Sequence, residues 1–175
     1  MPAPLITDAD PQSMARPADG LLDPVALVAL AVLALNDQVL KAAWPGFVTG
    51  KLSDVAGLVV TPLALLAAWE LVSWAVGRWR APSTRVLALS IVVVGLGFAA
   101  IQVWEPATDA YRWGLGAAQW PFRALAAALT GAPSPGIAPV VAVADAEDLV
   151  VLPALAVTWW LGRRRIAKAS TQARD

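Results

Sequence analysis

Asp37, Lys41, Lys51, Ser53 and Asp54 are the residues whose types and spacing first suggest chemistry, because they crowd into one short stretch between two long apolar runs. Unneeded charge beside a membrane-length segment is costly, so each group there needs a reason. Asp37 and Lys41 stand four apart, in the acid-then-base order that pairs on a helix. TGKLSD, residues 49–54, does not make a phosphate loop. That loop needs four residues between its glycines and Ser or Thr directly after Lys, whereas here three residues separate Gly46 from Gly50 and Leu52 precedes Ser53. Two readings remain. One is a Gly turn with Thr49 or Ser53 capping a helix and Lys51 reaching toward headgroups. The other is a site for an anionic lipid or substrate, with Lys51 and the helix N-terminus as its positive elements. A Ser53–Lys51 dyad is disfavoured, since residues two apart on a helix point away from each other.

More acids recur downstream. Glu105 and Asp109 precede Arg112, and Asp145, Glu147 and Asp148 open an apolar run. The last three suit an N-cap and first helical turn, where carboxylates are favoured. Carboxylates converging from Asp37, Asp54, Asp109 and Asp148 could instead hold Mg²⁺ or Ca²⁺, which take oxygen ligands. Glu70 is the acid set deepest in an apolar run. A protonated, hydrogen-bonded structural carboxyl is its plain reading, and proton or cation handling the alternative. Cysteine and histidine are both absent, which excludes disulfides, thiol nucleophiles, His-ligated metals and Ser–His mechanisms. No cofactor is expected beyond that divalent cation.

These groups must be positioned by membrane helices. Of 175 residues, 58% are hydrophobic and 15% charged, against roughly 25% charged in soluble domains. The formal net charge of +0 gives no footprint for nucleic acid. Residues 1–20 read as a disordered tail. Asp23-Pro24 is an N-cap followed by Pro at the first helical position. Apolar runs then predict spans over about 23–41, 53–77, 85–104 and 145–162, with Pro62 as a kink in the second. Residues 107–130 alternate polar and apolar faces at helical spacing, which predicts an amphipathic segment kinked or broken near Ala117–Pro121. Residues 166–175 form a second tail. The fold class is therefore all-α: four transmembrane helices, with an amphipathic helix between the third and fourth.

Four spans put Arg16, Arg78, Arg80, Arg85, Arg163, Arg164, Arg165, Lys168 and Arg174 on one side, and Lys41, Lys51, Arg112 and Arg123 on the other. The richer side is cytoplasmic by the positive-inside rule, with both termini there. The acidic clusters then all fall on the extracytoplasmic face.

N-D-x-x-L-K at 36–41, P-G-x-x-T-G-K-L-S-D-x-x-G-L at 45–58, Y-R-W-G-L-G at 111–116 and D-x-x-D-L at 145–149 resemble a family of small four-span bacterial membrane proteins without assigned function. The resemblance implies a bacterial plasma-membrane location and carries over no mechanism. The leading expectation is a non-catalytic component. It would bind a lipid, a membrane protein or a second copy of itself through Asp37, Lys41, Lys51, Ser53, Asp54, Asp109, Arg112, Asp145 and Asp148. The alternatives are a carboxylate- and metal-dependent enzyme acting on a lipid-linked substrate, and a small proton or cation carrier using Glu70.

Overall fold

The computed structural model describes residues 15–44 and 46–172, and no strand occurs among them. A short 3₁₀ turn, Asp19–Leu22, leads into α1 (Pro24–Leu35), which continues through a π-helical turn, Asn36–Leu40, into α2 (Lys41–Ala43). Then come α3 (Phe47–Ala75), α4 (Thr84–Val103) and α5 (Glu105–Thr130). A 3₁₀ helix, Ala146–Ala154, precedes α6 (Leu155–Gln172). Three helices are long and apolar enough to cross a membrane: Pro24–Ala43, Phe47–Ala75 and Thr84–Val103, of 20, 29 and 20 residues. The span expected over 145–162 is not among them. Its first half is 3₁₀ rather than α, with Pro153 withholding a donor inside it, and α6, which starts at Leu155, reaches Arg163 to Arg165 after about two turns.

The tail expected over 1–20 lies outside the described residues as far as residue 14, and Pro45 and residues 173–175 lie outside them too. Residues 15–20 are ordered, and Asp19 and Gly20 already belong to the 3₁₀ turn. The tail expected over 166–175 is helical as far as Gln172.

The chain forms two compact units, one comprising residues up to Val93 together with those from Pro153 onward, the other Val94–Leu152. In the first, Asp23 starts α1 as its sequence suggests: its carboxylate accepts the Val25 N–H at 3.0 Å, with Pro24 at the position that has no donor to lose. α3 packs between α1 and α6, and Ala26, Val59, Leu63 and Leu161 form their shared core. α4 meets α6 where buried Leu87 lies against Gly162, and a Cβ on that glycine would collide with the leucine side chain.

α3 runs unbroken through Pro62, which has no N–H to return to the Leu58 carbonyl. An unpaired carbonyl in an apolar interior is costly. Thr158 of α6, fully buried, supplies the missing donor: its hydroxyl lies 3.2 Å from the Leu58 oxygen and 3.1 Å from that of Val59. The proline thus creates a polar need that the last helix answers.

The second unit is built on α5, which is continuous through Pro121 rather than broken there and ends at Gly131, whose positive φ of 70° suits glycine. Beyond it an extended segment returns along the helix. Trp120 donates its indole N–H to the Pro135 carbonyl at 2.8 Å, Gly116 faces the Ala138 carbonyl, and the Arg112 backbone carbonyl accepts the Val140 N–H at 3.0 Å. Residues 112, 116 and 120 share one helix face, and Gly116 has no side chain because a Cβ would strike Ala138.

Thr158→Val should lower stability in detergent by about 1–2 kcal/mol, since it strands a buried carbonyl. The loss should shrink in a Pro62→Ala background, where the helix regains its own donor. Denaturant titration of the four proteins measures this, and an equal loss in both backgrounds contradicts the account.

Candidate functional site

α1 ends in polar residues, and its last turn widens into a π-helical one, a distortion that often accompanies function. Asn36 opens that turn at 0% exposure. Its amide donates to the Thr49 carbonyl and to the Ser53 hydroxyl, each at 2.6 Å. Ser53, 7% exposed, in turn donates to Asp37 at 2.6 Å. Asp37 also pairs with Lys41 at 2.8 Å, as their spacing suggests. Thr49 holds the turn itself: its hydroxyl accepts the Gly46 N–H at 3.2 Å and lies 3.1 Å from the Trp44 carbonyl. Lys51 sits 4.9 Å above the Phe47 ring.

The TGKLSD stretch thereby becomes a clasp between α1 and α3. Of the residues expected there, Asp37, Lys41 and Ser53 form one hydrogen-bonded chain. Asn36, which joins that chain to the α3 backbone, is absent from the expected site. Its signal was there, an amide at the end of an apolar run. Its Oδ1 meets no donor among the described residues.

In the second unit, Arg112 forks between Asp109 at 2.7 Å and Glu105 at 3.0 Å, and also donates to the Ala142 carbonyl. The hydrogen bond it donates to Asp109 raises the already high pKa of this guanidinium, so it stays charged while it pins the extended segment. Asp145 accepts the Glu147 N–H at 2.9 Å and so starts the 3₁₀ helix, fulfilling the capping role read from DAEDL. Asp148 accepts from the Gln102 amide at 3.1 Å, and Gln102 accepts the Asp145 N–H at 3.2 Å. Gln102 carries the same signal as Asn36, an amide at the end of an apolar run, and is likewise absent from the expected site. Among the described residues, no group of three or more acidic side chains lies close enough to hold a metal ion.

Glu70, 2% exposed, has a cation as its partner. Arg165 of α6 grips it with two parallel bonds, Nη1 to Oε1 at 2.7 Å and Nη2 to Oε2 at 3.0 Å. Arg165 also pairs with Asp19 and donates to the Arg16 carbonyl at 2.8 Å. The Ala18 N–H donates to Glu70 at 2.8 Å. Ala18 takes the left-handed conformation here, with φ at 67°. A cavity of about 280 Å³ opens beside this network, with Leu63, Leu66 and Leu161 in its wall and Arg164 and Lys168 along it. A second cavity, also bordered by Glu70, is lined by Arg78, Trp79 and Arg80.

No family model, curated protein or solved structure matches the chain.

Two clasps can be measured. Asn36→Leu should cost about 1–3 kcal/mol, because the Thr49 carbonyl and Ser53 lose their buried donor. A cycle with Ser53→Ala should show coupling above roughly 0.5 kcal/mol, and strict additivity would contradict the shared bond. Arg165→Gln should be worse, about 3–5 kcal/mol, as it leaves Glu70 buried without its cation. Adding Glu70→Gln should recover much of that loss in thermal unfolding, and an undiminished loss would show that the pair is not the cause.

Proposed function

We propose that the protein is a four-span component of the bacterial plasma membrane, with both termini cytoplasmic. It binds a lipid or protein partner at the turn between α1 and α3 and does not catalyse a reaction there. The observation that carries this reading is the state of Ser53 and Asp37. The hydroxyl is buried and held between the Asn36 amide and the Asp37 carboxylate, and the carboxylate is shared with Lys41. A nucleophile and base so engaged present nothing to a substrate. The groups that do stand out from the turn are Lys41, Trp44, Phe47 and Val48, a cation and large apolar surfaces of the kind that recognise a partner.

The orientation has support of its own. Arg78, Arg80, Arg164, Arg165 and Lys168 all line the two cavities bordered by Glu70. Glu70 is seventeen residues along α3 from Ser53, or about 25 Å by helix rise. Basic residues from separate parts of the chain thus gather at one end of α3 and the Ser53 clasp lies at the other. That is the asymmetry by which the basic end faces the cytoplasm.

Divalent metal separates binding from the enzymatic alternative. Thermal unfolding in detergent should not respond to Mg²⁺, Mn²⁺ or Ca²⁺, and a photo-crosslinking residue at Val48 should capture a discrete adduct in membranes. A metal-dependent rise of several degrees, abolished by Asp54→Asn or Asp148→Asn, would overturn the proposal in favour of a metal-dependent enzyme.

A further inference from the structure

Arg163, Arg164 and Arg165 are adjacent in sequence and have different surroundings. Arg165, with its side chain 13% exposed, turns inward to Glu70. That contact fixes the rotation of α6 about its axis. The two arginines before it therefore face outward, and each lies over the indole one turn earlier. The Arg163 guanidinium is 5.6 Å from the Trp159 ring centre, and that of Arg164 is 5.3 Å from the Trp160 ring centre. Residues four apart line up along a helix, so two neighbouring stripes result, Trp159–Arg163 and Trp160–Arg164–Lys168. Both indoles and all three cations are exposed.

No acid lies between Asp148 and Asp175, and among the described residues Arg163, Arg164 and Lys168 make no ion pair. Of the three carboxylates that line the cavity beside Arg164 and Lys168, Glu70 and Asp19 are engaged by Arg165 and Asp23 caps α1. Stacking on an indole holds a guanidinium in place, so less side-chain freedom is lost when it grips an anion. Tryptophan beside such a cation is also the pairing suited to the boundary between headgroup and acyl chain. Along the second stripe, Arg164 and Lys168 border the cavity walled by Leu63, Leu66 and Leu161, so apolar surface lies next to the basic groups.

We propose that Trp159, Trp160, Arg163, Arg164 and Lys168 form a docking surface for the headgroups of anionic phospholipids at the membrane surface. Guanidinium takes phosphate in two parallel hydrogen bonds, and the indoles seat at headgroup level. This surface is separate from the turn between α1 and α3, so either proposal can fail without the other.

The test is native mass spectrometry of the full chain in detergent, titrated with phosphatidylglycerol and with phosphatidylcholine. The wild type should bind phosphatidylglycerol more tightly. Each cation at an anionic surface contributes about fivefold, so Arg163→Gln with Arg164→Gln should weaken phosphatidylglycerol binding by about 25-fold and leave phosphatidylcholine binding unchanged. The paired Lys substitutions should retain part of the preference. Arg123→Gln, an exposed cation away from both surfaces, should retain all of it, and an equal loss there would make the binding a matter of total charge and overturn the proposal. Because both arginines are exposed, the unfolding temperature should hold, and a fall in it with no change in lipid preference would make the stacks structural. Equal affinity for the two lipids, or full displacement by soluble glycerol phosphate, would also overturn it.

Discussion

The ion pair between Glu70 and Arg165 is the constraint on which the architecture of the larger unit turns. A carboxylate at 2% exposure in the middle helix needs a cation, and it draws one from a residue 95 positions later. Replacing such a pair with apolar side chains is often neutral or stabilising, whereas removing one partner is expensive. The pair is therefore better understood as fixing an arrangement than as adding stability. It sets which face of α6 meets α3, and the same guanidinium holds the Arg16 carbonyl and Asp19, so the segment before α1 is ordered by it as well. The left-handed Ala18 follows from this, because its N–H turns toward Glu70.

The same logic operates elsewhere at smaller scale. At several places where a helix carries a polar defect, a polar group from another segment meets it. Pro62 frees a carbonyl and Thr158 reaches it. Asn36 ends α1 and finds Thr49 and Ser53. Arg112 meets the Ala142 carbonyl of the extended segment, whose prolines at 133, 135 and 139 leave it with few donors of its own. Hydrophobic burial cannot select one helix rotation over another when every face is apolar. Directional bonds can, and here they do so at specific residues.

That explains what the sequence did and did not disclose. The start of α1, the three apolar helices, the Asp37–Lys41 pair and the capping role of Asp145 are local, set by neighbours within four residues, and they were legible. Glu70 was legible as an anomaly but its partner was not. Counting charges for topology treats Arg163, Arg164 and Arg165 alike, and nothing local says which one turns inward. The extended segment along α5 was missed for a similar reason. Arg112, Gly116 and Trp120 show helical spacing, but spacing does not show that a remote chain lies across that face. The span expected over 145–162 is not among the three long apolar helices because a count of apolar residues ignores the 3₁₀ winding at Ala146–Ala154.

α3 is thus held near its two ends by clasps of different character. At Ser53 the partners are 16 and 17 residues away, through a single turn, and every group but Lys41 is uncharged or shares its charge locally. At Glu70 the partner is 95 residues away and the bond is between full charges. Closing a longer loop costs more chain entropy, though only logarithmically, so the difference in reach alone is a modest penalty. The larger difference is in what each end tolerates. A hydrogen-bonded clasp can lose one member and keep the others, while a buried ion pair that loses one member exposes the other to an interior that cannot solvate it. The Asn36 end can therefore be altered step by step around Lys41, Trp44 and Phe47. The Glu70 end must be kept or replaced whole, and with it the outward setting of the arginines on α6.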